Sequence, residues 1–133
     1  LEVLDMIEAR MRQIAEHTCA AQGLTCTFEF LRNYPPTINA AAEAEFAKEV
    51  MTDLVGLDQV LVQEPTMGAE DFAYMLQAKP GAYCFIGNGD GDHRSVGHGA
   101  GPCTLHNPSF DFNDALLPLG ASYWVRLVER WLS

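Results

Sequence analysis

The sequence has little positive charge. Eight of its 133 residues are Lys or Arg, against 18 Asp and Glu, for a formal net charge of -10. A phosphate backbone or an anionic membrane attracts a clustered positive surface, so neither nucleic acid nor a lipid surface is an expected partner. Long apolar runs are also missing, and none approaches the roughly 18 residues that a membrane-spanning helix needs. Cys19, Cys26, Cys84 and Cys103 contain no CxxC pair. A chain of this length can hold itself together without staples, so reduced thiols in a cytoplasmic protein are expected, with disulfides as the alternative. There is no initiator Met, and "LEVLDMIEAR" opens partway into an acidic amphipathic pattern. That is neither a signal nor a transit peptide, and it is expected of a piece of a longer chain.

What is present is an ordinary globular composition, 48% hydrophobic and 20% charged, without internal repeats. Leu4, Ile7, Met11, Ile14 and Ala15 recur at helical spacing, with Gly23 as a stop. "LTCTFEF" then alternates, placing Leu24, Cys26, Phe28 and Phe30 on one side, the pattern of a half-buried strand. "RNYPPTIN" breaks the unit, since two prolines impose extended backbone and remove two donors. Ala44, Ala47, Val50, Met51, Leu54 and Val55 give a second helix with Asn39 as a nearby cap. "QVLVQ" reads as a buried strand, "MGAEDFAYMLQAKPG" as a turn, a short helix and a stop, and "AYCFIG" as another buried strand. A last helix follows Asn113, turning Leu116, Leu117, Leu119, Tyr123, Trp124, Leu127, Val128 and Trp131 inward.

Helices alternating with strands from residue 40 onward indicate an α/β layer. Two strands there are too few to cover the helices, so the rest of the sheet is expected to precede Leu1; a complete small α+β domain is the alternative.

Four side chains draw attention as ligands. His93, His98, Cys103 and His106 form H-x4-H-x4-C-x2-H, donors of the kind zinc favours. The spacing matches no standard finger, and a glycine-rich loop with Asp90, Asp92 and Gly97 is ordinarily a solvated surface loop. His106 has a different setting. Leu105 is expected to anchor it in the core, Pro108 to stiffen the backbone after it, and Asn113 with Asp114 to open the last helix. A stiff mount lets an imidazole meet a metal with little entropy to lose. The alternative is a half-buried histidine bonded to backbone.

"YPPTIN", "MGAEDFAYM", "GAYCFIGNG" and "LHNPSFDFNDALLPLGASYW", in this order, resemble the C-terminal third of the metallo-amidohydrolase family that includes hippurate hydrolases, N-acyl-amino-acid amidohydrolases and plant auxin-conjugate hydrolases. The resemblance covers the whole chain. It implies an α/β fold: the C-terminal part of a three-layer metallopeptidase-like catalytic domain at residues 37–133, preceded at 1–36 by the last helix and strand of an α+β lid, often used for dimerisation. It implies two divalent metal ions, zinc, manganese, cobalt or nickel, with His106 of "LHNP" as the last ligand. The other ligands and the glutamate base belong to motifs that this sequence does not contain, so no catalytic residue is assigned within it.

Amide hydrolysis at neutral pH needs an activated water and a stabilised oxyanion, and a metal pair supplies both. Glu70 and Asp71 are not assigned the base role. They suit the first turn of a helix, with a pocket role for Glu70 as the alternative, and Gly68 is expected to serve the turn. Asn107 is expected to shape the mount of His106. The histidines at 93 and 98 and Cys103 remain without a role.

The expected activity is therefore cleavage of the amide bond of an N-acyl amino acid, in a homodimer or higher homo-oligomer joined through the lid. A peptide-cleaving carboxypeptidase or dipeptidase is the alternative, and a non-catalytic binding or dimerisation module the third possibility. The 133 residues alone carry one ligand and are expected to be inactive.

Overall fold

The computed structural model describes residues 2–91, 93–94, 101 and 103–133. They fall into two compact units, Leu1–Pro35 and Pro36–Ser133.

The first unit is one helix, α1 (Glu2–Ala21), and the segment that returns along it. Gly23, at φ 69°, turns the chain, and Leu24 N donates back to Cys19 O at 2.9 Å. Arginines then fasten the return. Arg12 donates to Phe28 O at 3.3 Å with its guanidinium 4.9 Å from the Phe28 ring centre. Arg32 donates to Asp5 at 2.6 Å and to Glu8 at 2.5 Å. The alternation read in "LTCTFEF" persists, since Phe28 and Phe30 stack on one side with ring centres 6.4 Å apart.

Two expectations are corrected here. No strand forms among the described residues, because a strand is defined by a second strand's ladder of hydrogen bonds, and residues 24–30 face a helix instead. The helix also buries a different stripe: Leu4, Glu8, Ala15 and Cys19 are half-covered, while Ile7, Met11 and Ile14 stay exposed. Ionic and cation–π contacts to Glu8 and Arg12 set the seat of the returning segment.

In the second unit, α2 (Ala41–Val55) packs on α4 (Leu117–Leu132), with α3 (Phe72–Ala78) between them in sequence. Ala47 and Val50 of α2 are buried. Phe46 meets Trp131 edge to face at 5.5 Å. Arg130 bridges Asp53 at 2.5 Å and Glu49 at 2.6 Å, so it serves the helix pair as well as the C-terminal dipole. Of the face expected to turn inward, Leu116, Leu119, Tyr123 and Leu127 are half-buried, while Leu117, Trp124, Val128 and Trp131 are exposed because α2 covers one side of α4.

The two buried strands expected at "QVLVQ" and "AYCFIG" are likewise absent among the described residues. Leu61 and Val62 are 84% and 88% exposed, the reverse of expectation. An apolar run of this kind is buried only when neighbours cover both its faces. Asn39 is not a cap for α2, whose start has no side-chain cap. It pairs instead with the backbone of Tyr83, donating to Tyr83 O at 2.9 Å and accepting from Tyr83 N at 2.8 Å.

Candidate metal centre

The loop that carries His106 is built by side chains bonding to backbone. Asn107 N donates to Thr104 O at 3.2 Å and Phe110 N to Asn107 O at 2.9 Å, giving two successive turns. The Asn107 carboxamide oxygen accepts from Ser109 N at 3.0 Å and from Ser109 Oγ at 2.6 Å. At the crown His106 holds φ 65°, the one positive value among described non-glycine residues. A residue with a side chain held there costs on the order of 1–3 kcal/mol, which the surrounding bonds must offset. Its imidazole is exposed, without a hydrogen bond to another described residue. The expected apolar anchor fails: Leu105 is 69% exposed, and the mount is polar.

The ends of the loop meet at one carbonyl. Asp111 O accepts from Asn88 Nδ2 at 2.8 Å, from His93 Nε2 at 2.8 Å and from the Cys103 thiol at 3.3 Å. A carbonyl only accepts, so Nε2 of His93 carries the proton. The same contact favours the imidazolium and raises the His93 pKa. Nδ1 of this ring is buried without a hydrogen-bond partner among the described residues. Asn88 Oδ1 accepts from Asn113 N at 2.9 Å, and Asn113 Oδ1 in turn accepts from Ala115 N at 3.2 Å, capping the turn that opens α4 as its sequence position indicated. The "GNGDG" stretch makes this convergence possible, because Gly89 and Gly91 sit at φ 79° and 86°, where a Cβ is strained.

His93, Cys103 and His106 thus belong to one stretch, but they do not form a zinc site. Cys103 Sγ lies 3.9 Å from His93 Nε2, a nitrogen already committed to Asp111 O. His98, Asp92 and Gly97 lie outside the described residues. Among the described residues no group of three His, Cys, Asp or Glu is placed to hold a metal ion. Among the described residues of this loop His106 presents a solvent-facing imidazole.

A second group of polar side chains gathers at α3. Glu70 Oε2 accepts from the Tyr83 hydroxyl at 3.0 Å, and Oε1 accepts weakly from Phe72 N at 3.5 Å. The Tyr83 hydrogen bond is the chief cause holding the Glu70 carboxyl below its ordinary value, and it pushes the phenol up in return. Tyr83 is braced by Phe72 and Phe85, with ring centres 5.6 and 5.3 Å away. Asp71 is exposed at the start of α3 and makes no side-chain cap. Gly68 is not in the left-handed region, and a Cβ there would meet Thr66 Oγ1 at an ordinary 3.6 Å, so the expected turn requirement for glycine is not met.

Asn88 and Tyr83 were not singled out from sequence, and Asn39 only as a helix cap. An Asn beside glycines has many uses, and nothing local says that its amide will stand in for a peptide group opposite residues 23 positions away.

The class follows from comparison with known proteins. Residues 4–130 match the model of peptidase family M20/M25/M40, and the chain belongs to that family. Among its relatives, IAA-amino acid hydrolase ILR1-like 5 of Arabidopsis thaliana is 32% identical over 132 residues, 96% of this chain and 29% of the relative. IAA-amino acid hydrolase ILR1-like 4 of the same plant is 31% identical over 130 residues, 95% of this chain and 28% of the relative. Thermostable carboxypeptidase 1 of Saccharolobus solfataricus is 34% identical over 112 residues, 84% of this chain and 26% of the relative. The chain therefore spans under a third of the length of these curated relatives. No solved structure gives a significant match.

Proposed function

We propose that these residues are the C-terminal part of a metal-dependent amidohydrolase that cleaves the amide bond of N-acyl amino acids, with His106 as one metal ligand. The observation that carries this is the exposed imidazole of His106, without a hydrogen bond to another described residue and held at positive φ on a loop closed through Asp111 O. Family membership supports it, as do relatives named as hydrolases of amino-acid conjugates.

Two divalent ions, zinc, manganese, cobalt or nickel, would lower the pKa of a hydrolytic water and polarise the scissile carbonyl. His106 would hold one of them through a ring nitrogen. Asn107 fixes the turn that aims the ring. Glu70, kept ionised and oriented by Tyr83, is a hydrogen-bond acceptor toward the amide N–H of a bound substrate, with Asp71 and Gly68 beside it on the approach to α3.

In this proposal residues 37–133 are the end of a three-layer α/β catalytic domain, and residues 1–36 the last helix and strand of a lid that joins two subunits. The extended apolar segments at 24–30, 60–63 and 82–87, which form no strand among the described residues, would become strands only beside partners elsewhere in that fold. Among the described residues no helix is long and apolar enough to cross a membrane, and the cytoplasm remains the proposed compartment.

A carboxypeptidase reading is kept alive by the 34% identity to Thermostable carboxypeptidase 1. The complete protein, assayed on benzoyl-, acetyl- and indoleacetyl-amino acids beside plain dipeptides, should prefer the acyl amino acids. His106→Ala should lower hydrolysis by more than about 100-fold, beyond the usual effect of losing an outer-shell partner. Preference for dipeptides would favour the carboxypeptidase, and full activity in His106→Ala would remove the ligand assignment.

A further inference from the structure

We infer that Asn88 is a positioning residue for the metal-binding histidine, acting as a peptide-like clamp that closes the His106 loop. This rests on His106 being a ligand. The carboxamide of Asn88 meets the backbone as a neighbouring strand would, donating to Asp111 O at 2.8 Å and accepting from Asn113 N at 2.9 Å. Its Nδ2 also lies 3.7 Å from Cys103 Sγ. The side chain thus touches both ends of the loop, Cys103 on one side and Asp111 with Asn113 on the other, while His106 occupies the crown between them.

His93 adds a second strong donor to the same carbonyl at 2.8 Å. A loop whose ends are tied this way has already lost the freedom that metal binding would otherwise remove, and outer-shell partners of this kind tune ligand orientation. Asn88 stands 18 residues before His106 in sequence and acts on it through the ends of its loop, at Cys103, Asp111 and Asn113, so its effect is on aim rather than on chemistry.

Asn39 provides a matched control. It makes the same two-point contact, with Tyr83 N at 2.8 Å and Tyr83 O at 2.9 Å, without touching the His106 loop. The test uses the complete protein, with cobalt(II) as the metal probe, and compares Asn88→Asp with Asn39→Asp. Each substitution keeps the shape of the side chain and replaces the amide donor by an acceptor facing a carbonyl. Metal affinity is read by competition with a chelator, and ligand geometry by the visible absorption of bound cobalt. Asn88→Asp should weaken cobalt binding 10- to 100-fold and shift the band, whereas Asn39→Asp should leave both unchanged and alter the melting temperature alone.

Wild-type affinity and spectrum in Asn88→Asp would overturn the inference, as would equal losses in the two variants. If Asn88→Asp does not fold, His93→Phe, which removes the second donor to Asp111 O, carries the same comparison. Undiminished cobalt content in His106→Ala would instead remove the ligand assignment itself. Loss in His106→Ala with none in Asn88→Asp would remove only the clamp.

Discussion

The loop from Cys103 to Asn113 and the stretch from Val60 to Met67 are both without helix or strand, yet they differ in what holds them. The first is tied by Asn88, His93 and Cys103 to one carbonyl and by Asn107 to Ser109. In the second, Gln63 Nε2 donates to the adjacent Glu64 carbonyl at 2.9 Å, a bond that links neighbours and closes no loop. Leu61, Val62 and Met67 stand in solvent there, Met67 completely. A loop whose polar groups find each other within one chain is set by that chain. A strand-like run of apolar residues acquires its place only from a partner on each edge and a cover on each face.

The comparison breaks most visibly at Val62. Val62→Ser should change the stability of the 133-residue chain by less than about 0.5 kcal/mol, as for an exposed site. In the complete protein, where the proposed sheet covers it, the same change should cost about 2 kcal/mol. Denaturant unfolding of the two proteins side by side checks this, and equal small effects would mean that residues 60–63 stay uncovered.

Asn107→Ala works on the other side of the comparison. It removes the oxygen that accepts from Ser109 N at 3.0 Å and Ser109 Oγ at 2.6 Å, and should cost about 1 kcal/mol in either protein. An effect seen only in the complete protein would mean that the loop, too, depends on what surrounds it.

The smallest effect is a pH dependence at Glu70. Its folded pKa is lowered below the ordinary 4.5, chiefly by Tyr83. A lowered carboxylate stabilises the fold above its unfolded pKa, and this contribution disappears as pH falls through the folded value. Between pH 7 and pH 3 the phenol is neutral in both states, so Tyr83→Phe isolates the Glu70 contribution. Melting curves across this range should show a shallower acid loss in Tyr83→Phe than in the parent, and parallel curves would contradict the pairing.

The α-helices α1 to α4 were legible from sequence because 3.6-residue periodicity and local stops are short-range properties; Gly23 after α1 and Asn113 before α4 are instances. The extended segments were legible in shape but not in burial, since Leu24 to Phe30 alternates correctly while its seat on α1 is decided by Arg12 and Arg32. His106 stood out through its "LHNP" setting. Its positive φ, the polar mount in place of Leu105, and the part played by Asn88 depend on residues brought together by the fold, which no local pattern encodes.

The most direct measurement is the divalent metal content of the complete protein and of its His106→Ala variant, determined by elemental analysis after dialysis into metal-free buffer. Two ions per chain in the parent and no more than one in the variant are predicted. Two ions retained in His106→Ala would contradict the assignment of His106 as a ligand.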